Sequence, residues 1–299
     1  MRKTILFEIV SIIVILSYSL NAQSSMFENQ MLKSCLIQME KGGLGTGILY
    51  KDSTSVYLIT ARHNFYQEVN SKGKTLFLLK DTKCKLITYP RDIKNANSDS
   101  LECELVILEK TGLLKYDQFN DVATLKLAEL SVLDSIYQTI KNLNGIKRLD
   151  KSGTTIQSFE IDEIKRINEL NIGDEVALFG FPRAIGLIRD PQYDFNRPLL
   201  RKGTIAGLNS SKGTFILDCV VYQGNSGGPV LRYYYKFETY KGGFIRKMES
   251  ELIGIVSEFI PLEEKWTNLN YGMTNIEWDN SGYSVIVPID YALNLIETY

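Results

Sequence analysis

The chain has 299 residues and a mass of 34.0 kDa, which is enough for one large domain or two small ones. Hydrophobic residues make up 44% and charged residues 23% of it, a composition that is typical of globular proteins and excludes a disordered chain. The formal net charge is −1, and no basic stripe is interleaved with aromatic residues. The sequence therefore offers no electrostatic surface for nucleic acid.

The first 22 residues differ in composition from the rest of the chain. Arg2 and Lys3 precede an apolar stretch, Ile5–Leu20, and the small residue Ala22 follows it. This pattern predicts a secretory signal peptide over residues 1–22, cleaved after Ala22, and a mature chain that is exported to the periplasm or secreted. The alternative is an uncleaved N-terminal membrane anchor, for which about 16 apolar residues are short. After cleavage we expect no membrane association.

Strand signals dominate the first half of the mature chain. Short apolar or alternating runs, separated by Gly, Asp, Asn or Ser, predict strands at Ser34–Met39, Gly47–Tyr50, Ser55–Thr60, Thr75–Leu79, Lys85–Tyr89, Glu104–Leu108 and Asp121–Leu127. The pattern changes between Ala128 and Ser158, where apolar residues recur at helical steps and a polar run follows. We interpret residues 131–170 as an insertion or a crossing between two domains.

Strand signals resume in the second half, and they predict strands at Glu175–Phe179, Lys202–Leu208, Gly213–Val221, Gly228–Tyr234, Glu251–Ser257 and Tyr283–Val287. Beyond Pro288, apolar residues at steps of three and four predict a short amphipathic helix. Many short strands in two groups predict an all-β fold of two antiparallel β-barrels of the six-stranded type with a short C-terminal helix. The first barrel would span residues 23–130 and the second residues 171–299.

Four cysteines lie in the mature chain: Cys35, Cys84, Cys103 and Cys219. In an oxidising compartment four cysteines allow three pairings, among which the sequence does not choose. Buried free thiols are at least as good an interpretation for Cys35 and Cys219, which lie in apolar runs. The cysteine spacing does not fit a zinc finger and one histidine is too few for most zinc sites, so we expect no metal and no organic cofactor.

Three side chains in the order His63, Asp121 and Ser226 provide a base, a carboxylate and a nucleophile, which are the residues that acyl transfer requires. His63 is the only histidine in the chain, so it has no competitor as the base. Each residue also has an ordinary interpretation: a core histidine, a turn aspartate, and a tight glycine-rich turn around Ser226. Asp117 is the nearby rival to Asp121, but it lacks the apolar strand that follows Asp121.

Three segments resemble the signature motifs of trypsin-like serine peptidases, most nearly the bacterial HtrA/Deg type: Thr60-Ala61-Arg62-His63, Asp121-Val122-Ala123 and Gly224-Asn225-Ser226-Gly227-Gly228-Pro229. Weaker similarities follow in the same order at Gly43–Gly47, Gly180–Pro182, Lys202–Ile205, Leu252–Ile255 and Val285–Pro288. Together they cover roughly residues 33–297. Arg62 departs from the small or apolar residue that usually precedes the histidine in this family. We expect no PDZ module, since the chain given ends at Tyr299.

The resemblance implies that Ser226 is the nucleophile, that His63 is the general base and that Asp121 orients His63. The amides of Gly224 and Ser226 would form the oxyanion hole, in which hydrogen-bond donors stabilise the negative oxygen of the transition state. Val220, six residues before Ser226, would lie at the base of the primary substrate pocket. Its aliphatic side chain predicts small or medium apolar residues, rather than Lys or Arg, at P1, the residue before the scissile bond.

The residue before the nucleophile carries a prediction about activation. Digestive relatives have an aspartate there, which pairs with an amino terminus that proteolytic cleavage creates. This chain has Asn225 instead, and a neutral amide can be satisfied by hydrogen bonds alone. We therefore expect a peptidase that needs no proteolytic activation after removal of the signal peptide.

The sequence thus predicts an exported serine endopeptidase that hydrolyses protein or peptide substrates through an acyl-enzyme, with no nucleic-acid partner. One alternative is an esterase or another acyl hydrolase that uses the same site. A second alternative belongs to a different class: a non-catalytic binding module of trypsin-like fold that has kept the motif. A pseudo-enzyme has usually lost one member of the triad, whereas all three are present here. The sequence does not predict the oligomeric state.

Overall fold

The computed structural model describes residues 26–71, 73–88, 99–133, 137–149, 157–183, 194, 197–240 and 243–299. The predicted signal segment, residues 1–22, lies outside these ranges. Within them the chain is mostly β-structure in two successive halves, so the predicted all-β double-barrel class is confirmed. None of the helices in the described part of the chain has the length and apolar character needed to cross a bilayer.

Antiparallel strands form the first half of the molecule: β1 (Ser34–Met39), β2 (Leu44–Lys51), β3 (Ser55–Thr60), β4 (Tyr66–Ser71), β5 (Lys74–Leu79), β6 (Lys83–Thr88), β7 (Asp99–Glu104), β8 (Leu114–Tyr116), β9 (Ala123–Leu133), β10 (Tyr137–Asn142) and β11 (Ile146–Arg148). Nine of them form one sheet in the order β10-β9-β3-β2-β1-β6-β7-β11, with β8 beside β9, while β4 and β5 form a separate pair. Three short helices accompany the strands: α1 at residues 26–31, α2 (Arg62–Phe65) and α3 (Leu105–Lys110).

The strands β2 and β3 are buried along nearly their whole length because they separate two cores. Leu49 and Leu58 pack into the core of the first half. The alternate residues Ile48 and Ile59 face a second core, which is shared with the other half of the molecule. A strand that is covered on both faces reads as a continuous apolar run, and this is why both strands were evident in the sequence.

The second half is a closed barrel in the order β12-β13-β14-β17-β16-β15. Its strands are β12 (Glu175–Gly180), β13 (Leu199–Asn209), β14 (Thr214–Asp218), β15 (Pro229–Tyr240), β16 (Gly243–Asn268) and β17 (Met273–Pro288). The helix α4 (Ile289–Ile296) follows, as predicted. Its apolar stripe packs into the core between the halves through Ile289, Ala292, Leu293 and Ile296.

Residues 157–170 connect the two halves through an irregular segment with two 3-10 turns, Ile161–Glu163 and Ile167–Glu169. Phe159 is fully buried and bridges to Tyr50 of β2, and an ion pair joins Lys33 to Glu163. The predicted crossing over residues 131–170 thus has a connecting role in its second part. Its boundaries stay a prediction, because residues 134–136 and 150–156 lie outside the described ranges.

Two secondary-structure predictions are wrong. The strand predicted at Glu104–Leu108 is wrong because Glu104 ends β7 and the helix α3 begins at Leu105; Leu105 and Leu108, three residues apart, are the buried side chains of that helix. A short apolar run fits either structure when periodicity is the only guide. The partly helical interpretation of residues 128–143 is also wrong, because β9 and β10 pair there as an antiparallel hairpin.

All four cysteines are buried free thiols.

Candidate active site

The three predicted site residues meet at the groove between the two halves. His63 lies on α2 directly after β3, and Asp121 lies in the turn before β9. Because β3 and β9 are antiparallel neighbours, with Thr60 opposite Ala123, the end of one strand and the start of the other lie at the same edge of the sheet. Ser226 comes from the other half, in the loop between β14 and β15.

Asp121 binds both the side chain and the backbone of His63. One carboxylate oxygen, Oδ2, lies 2.7 Å from Nδ1 of the imidazole, and the other, Oδ1, accepts the backbone N–H of His63 at 3.0 Å. A carboxylate beside Nδ1 favours the tautomer with its proton on that nitrogen. Nε2 is then the basic nitrogen, and His63 lines the groove.

The electrostatics of Asp121 depend on its two neighbours. Burial by itself raises the pKa of this carboxyl, but the hydrogen bonds and the charge of His63, together with a hydrogen bond from Ser257, outweigh burial and lower the pKa to about 2. Ser257 Oγ donates to Asp121 Oδ2 at 2.6 Å. The carboxylate is therefore ionised at any pH at which a histidine could act as a base.

The rival carboxylate, Asp117, has a different role in the structure. Its Oδ1 accepts the backbone N–H groups of Phe119 and Asn120, both at 2.7 Å. Asp117 thus caps the turn that leads to Asp121, as short acidic side chains commonly do. The carboxylate that reaches His63 is that of Asp121.

Ser226 is hydrogen-bonded to residues of the first half of the molecule. Its carbonyl oxygen accepts the N–H of Thr46 and the side-chain amide of Asn64, both at 2.9 Å. Its hydroxyl donates to the carbonyl of Ser257 at 2.9 Å, and no hydrogen bond joins it to His63 among the described residues. Transfer of its proton to His63 therefore requires a change of side-chain rotamer, and catalytic hydrogen bonds commonly tighten only when substrate is bound.

The peptide before Gly224 has an orientation that is fixed by a hydrogen bond from Arg183. The carbonyl of Gln223 accepts the backbone N–H of Arg183 at 2.6 Å. The C=O and N–H of one trans peptide point in opposite directions, so the N–H of Gly224 points away from Arg183. Gly224 has φ +91°, and a Cβ there would lie 2.2 Å from the carbonyl oxygen of Phe181, so only glycine fits.

Asn225 is buried beneath this loop, with 1% of its surface exposed. Its Oδ1 accepts the N–H of Tyr222 at 3.0 Å, and its side-chain nitrogen has no hydrogen-bond partner within the described residues. A Cβ on Gly180 would lie 2.4 Å from that nitrogen, so the close approach of the two segments requires a glycine there. A neutral side chain therefore fills the space under the loop.

The groove has a volume of about 1020 Å³ and is lined by both halves of the molecule. Apolar lining comes from Ile37, Met39, Leu44, Val221, Tyr222 and Phe259. Val220, the predicted base of the substrate pocket, is half-buried and directly precedes the lining residues Val221–Gly224. In the described part of the chain, no cluster of three or more His, Cys, Asp or Glu side chains is arranged to hold a metal ion.

Sequence reasoning missed several residues that contact this site, among them Ser257 and Thr46. Ser257 was recognised only as the end of a strand, and its hydrogen bond to Asp121 joins residues 136 positions apart. Thr46 was recognised only within the first glycine-rich hairpin, yet its hydroxyl donates to the carbonyl of Gly224 at 2.6 Å. Neither contact has a sequence signal, because both arise where the two halves of the molecule meet.

A double β-barrel with a histidine, an aspartate and a serine at the groove between its halves has the architecture of the chymotrypsin-like class. A profile of the trypsin-like peptidase domain matches residues 45–236, so the chain belongs to this family, and the predicted resemblance is confirmed. No curated protein sequence matches the chain.

Solved structures with a similar fold include bacterial proteases of low sequence identity. A serine endoprotease from Yersinia pestis is 16% identical, with 92% of this chain and 65% of that chain covered and a TM-score of 0.47. Deg5 is 16% identical, with 92% and 91% covered and a TM-score of 0.48. The HtrA-type protease AlgW is 14% identical, with 92% and 62% covered and a TM-score of 0.48. The chain thus spans slightly less than two thirds of the first and third of these proteins.

Proposed function

We propose that this protein is an exported serine endopeptidase that cleaves protein or peptide substrates through an acyl-enzyme, with Ser226, His63 and Asp121 as its triad. The observation that carries the proposal is the imidazole–carboxylate pair at 2.7 Å, which lies on the same groove as a serine on a glycine-walled loop. An ionised, partly buried carboxylate orients the only histidine of the chain, as a general base requires.

In this mechanism the reaction proceeds in two stages, acylation of Ser226 and hydrolysis of the acyl-enzyme. Ser226 Oγ attacks the scissile carbonyl carbon while His63 Nε2 takes its proton, and the negative oxygen that forms is stabilised by the amides of Gly224 and Ser226. His63 then gives the proton to the leaving amine as the C–N bond breaks, which leaves an ester between Ser226 and the acyl part of the substrate. A water molecule, deprotonated by His63, hydrolyses this ester and restores the serine hydroxyl.

We infer that the primary pocket is the part of the groove beside Val221, Tyr222 and Phe259. The side chains of Val220, Val221, Tyr222 and Phe259 carry no carboxylate. The lining carboxylate next to them, that of Glu258, is exposed to solvent. We therefore infer that small or medium apolar residues, such as Val, Ala, Leu or Met, are preferred at P1 over Lys and Arg. A peptide library varied at P1 tests this preference, and cleavage mainly after Lys or Arg would contradict it.

The triad is tested by labelling with a fluorophosphonate probe and by turnover of a fluorogenic peptide. Ser226→Ala and His63→Ala are each expected to abolish labelling and to reduce turnover by about 10⁶-fold, and the double variant is expected to be scarcely worse than either single one, because residues that act as a unit are not additive. Clearly multiplicative losses would contradict the triad. Matched peptide and ester substrates separate an endopeptidase from an esterase.

Export rests on the composition of residues 1–22. Expression of the full chain, followed by amino-terminal sequencing of the exported product, tests it. A mature protein that begins at Gln23 is expected. A chain that keeps Met1 and sediments with membranes would support the N-terminal anchor instead.

A further inference from the structure

Arg62, the residue directly before the proposed base, makes contacts that a small residue could not make. Its Nη1 donates to two backbone carbonyls, that of Asp117 at 2.5 Å and that of Asn120 at 2.9 Å. The guanidinium carbon lies 3.9 Å from the centre of the Phe77 ring, so the same group also stacks on an aromatic face.

Both carbonyls belong to the turn that ends at Asp121. This turn projects outward, with the Phe119 side chain 94% exposed, so no apolar side chain at its tip fixes it in the core. Two backbone hydrogen bonds close its base, from Asp117 N–H to the Val122 carbonyl and from Val122 N–H to the Asn120 carbonyl. The two hydrogen bonds of Arg62 connect this turn to the segment that carries His63.

That segment itself has few local constraints. The helix α2 has only four residues, and no side chain caps its amino terminus. A single turn of helix is not stable by its own hydrogen bonds, so its orientation depends on tertiary contacts. Arg62 and His63 are consecutive, and the Arg62 contacts and the His63–Asp121 contact therefore connect the same two segments.

We propose that Arg62 is a positioning residue, which holds the turn of Asp121 against the helix of His63 and so sets the imidazole–carboxylate geometry. The proposal rests on the proposed function, in which His63 and Asp121 act together. An arginine suits the task because its guanidinium is planar, always charged and able to serve two carbonyl acceptors while it stacks on a ring. A lysine keeps the charge but loses the planar group that stacks on Phe77.

The first test compares turnover of three variants. Arg62→Ala is expected to lower kcat by about 10- to 100-fold with KM nearly unchanged, because a displacement of about 1 Å at the reacting groups has this effect. Arg62→Lys is expected to fall between Arg62→Ala and wild type. The control is Arg246→Ala, since Arg246 also stacks on an aromatic ring, that of Tyr235 at 3.4 Å, but lies on the exposed β15–β16 hairpin. It is expected to leave kcat unchanged.

The second test reads the geometry without turnover. His63 is the only histidine, so ¹⁵N-histidine labelling gives one pair of ring-nitrogen resonances with no assignment problem. At a pH at which the ring carries a single proton, we expect that proton on Nδ1 in the wild type. In Arg62→Ala we expect a mixture of tautomers, and methylguanidine added to this variant is expected to restore part of both the pattern and kcat.

The outcomes separate this proposal from the proposed function. Wild-type protein without probe labelling or turnover contradicts the proposed function whatever Arg62 does. Wild-type activity together with an unchanged kcat and an unchanged nitrogen pattern in Arg62→Ala would overturn the positioning role alone. If Arg62→Ala does not fold, Arg62→Lys and Phe77→Leu take its place, and wild-type kcat and nitrogen pattern in both would overturn the role equally.

Discussion

At Asp121, burial raises the pKa of the carboxyl group and hydrogen bonding lowers it. Its pKa is lowered from 3.8 to about 2, so the folded chain holds the carboxylate more strongly than the unfolded chain does. A group with a lowered pKa stabilises the fold above its unfolded pKa, and this stability is lost as the pH falls towards the folded value. The difference corresponds to about 2 kcal/mol of the free energy of unfolding.

Asp121→Asn is expected to separate this effect from catalysis. Between pH 5 and pH 2 the wild type should lose about 2 kcal/mol more stability than the variant, since the variant has no carboxyl to protonate there. Urea unfolding at both pH values measures the difference, and Ser257→Ala, which removes one donor to Asp121, should fall between them. At neutral pH Asp121→Asn should also lower kcat by about 10⁴-fold through loss of the correct tautomer. Equal acid sensitivity of wild type and variant would contradict the assignment.

The proposed triad could be predicted from sequence because each member lies in a short local motif. His63 follows an apolar strand, Asp121 precedes one, and Ser226 lies on a glycine-rich turn. The residues around the triad could not be predicted in this way. The contacts of Arg62 and Ser257 span 55 to 136 positions of sequence and depend on how two segments pack, which no local pattern encodes.

At the scale of elements, strand β2 supports the loop before Ser226, which belongs to the other half. Thr46 is fully buried, and its hydroxyl donates to the carbonyl of Gly224 at 2.6 Å and accepts the N–H of Phe181 at 3.1 Å. One side chain thus connects β2 to both segments that shape the loop.

Thr46→Val keeps the shape of the side chain and removes both hydrogen bonds. We expect a loss of about 2 kcal/mol of stability, because buried polar groups are left without this partner, and probe labelling of Ser226 slowed by about tenfold or more. Thr46→Ser is the matched control, since it keeps the hydroxyl, and it should label at nearly the wild-type rate. Wild-type labelling by Thr46→Val would show that the loop holds its shape without β2.

The elements that could be predicted from the sequence have at least one buried face, and segments exposed to solvent on both faces could not be predicted. Within β16 (Gly243–Asn268) only Glu251–Ser257 was predicted, because these residues contribute to the barrel core. Both ends of the strand extend beyond the barrel and are largely exposed, so they lack an apolar alternation. The helix α4 was evident because its apolar stripe is buried along its length.

At the scale of the whole molecule, the groove carries an uneven charge. Lys41, Lys80 and Arg183 are exposed on the side of His63. Each donates to a neutral carbonyl, and Lys41 also lies 4.0 Å from the carboxylate of Asp81. The acidic lining residues on that side are Glu68, which is exposed, Asp81, which is buried, and Asp121, which is bound to His63. The leaving amine departs past His63, so this side receives the residues after the scissile bond.

We therefore expect peptides with Glu at the first two positions after the scissile bond to be cleaved about tenfold faster than matched peptides with Lys there. The preference should shrink as the ionic strength rises, because exposed charges are screened. Measurements of kcat/KM at two salt concentrations check it, and Lys41→Gln should weaken it without loss of probe labelling. Equal rates for the two peptides at low salt would contradict it.

The buried side chain of Asn225, under the loop before Ser226, bears on how the whole chain becomes active. In a relative with an aspartate before the nucleophile, a buried carboxylate requires a cationic partner, and a new amino terminus provides it. Here Asn225 fills the site, accepts the N–H of Tyr222, and needs no cation. The Gln223 carbonyl is already turned to Arg183, so the N–H of Gly224 is directed away from it without any processed amino terminus.

The chain that begins at Gln23 is therefore expected to be active even with a blocked amino terminus. Titration of active sites with a covalent serine probe should label nearly every molecule of an acetylated or tagged preparation. Asn225→Asp is the informative variant, because it buries a carboxylate at a position that has no cationic hydrogen-bond partner within the described residues, and it should lower both stability and the labelled fraction. Labelling that appears only after a protease exposes an internal amino terminus would refute the expectation, since the loop would then depend on a charge that Asn225 was inferred to make unnecessary.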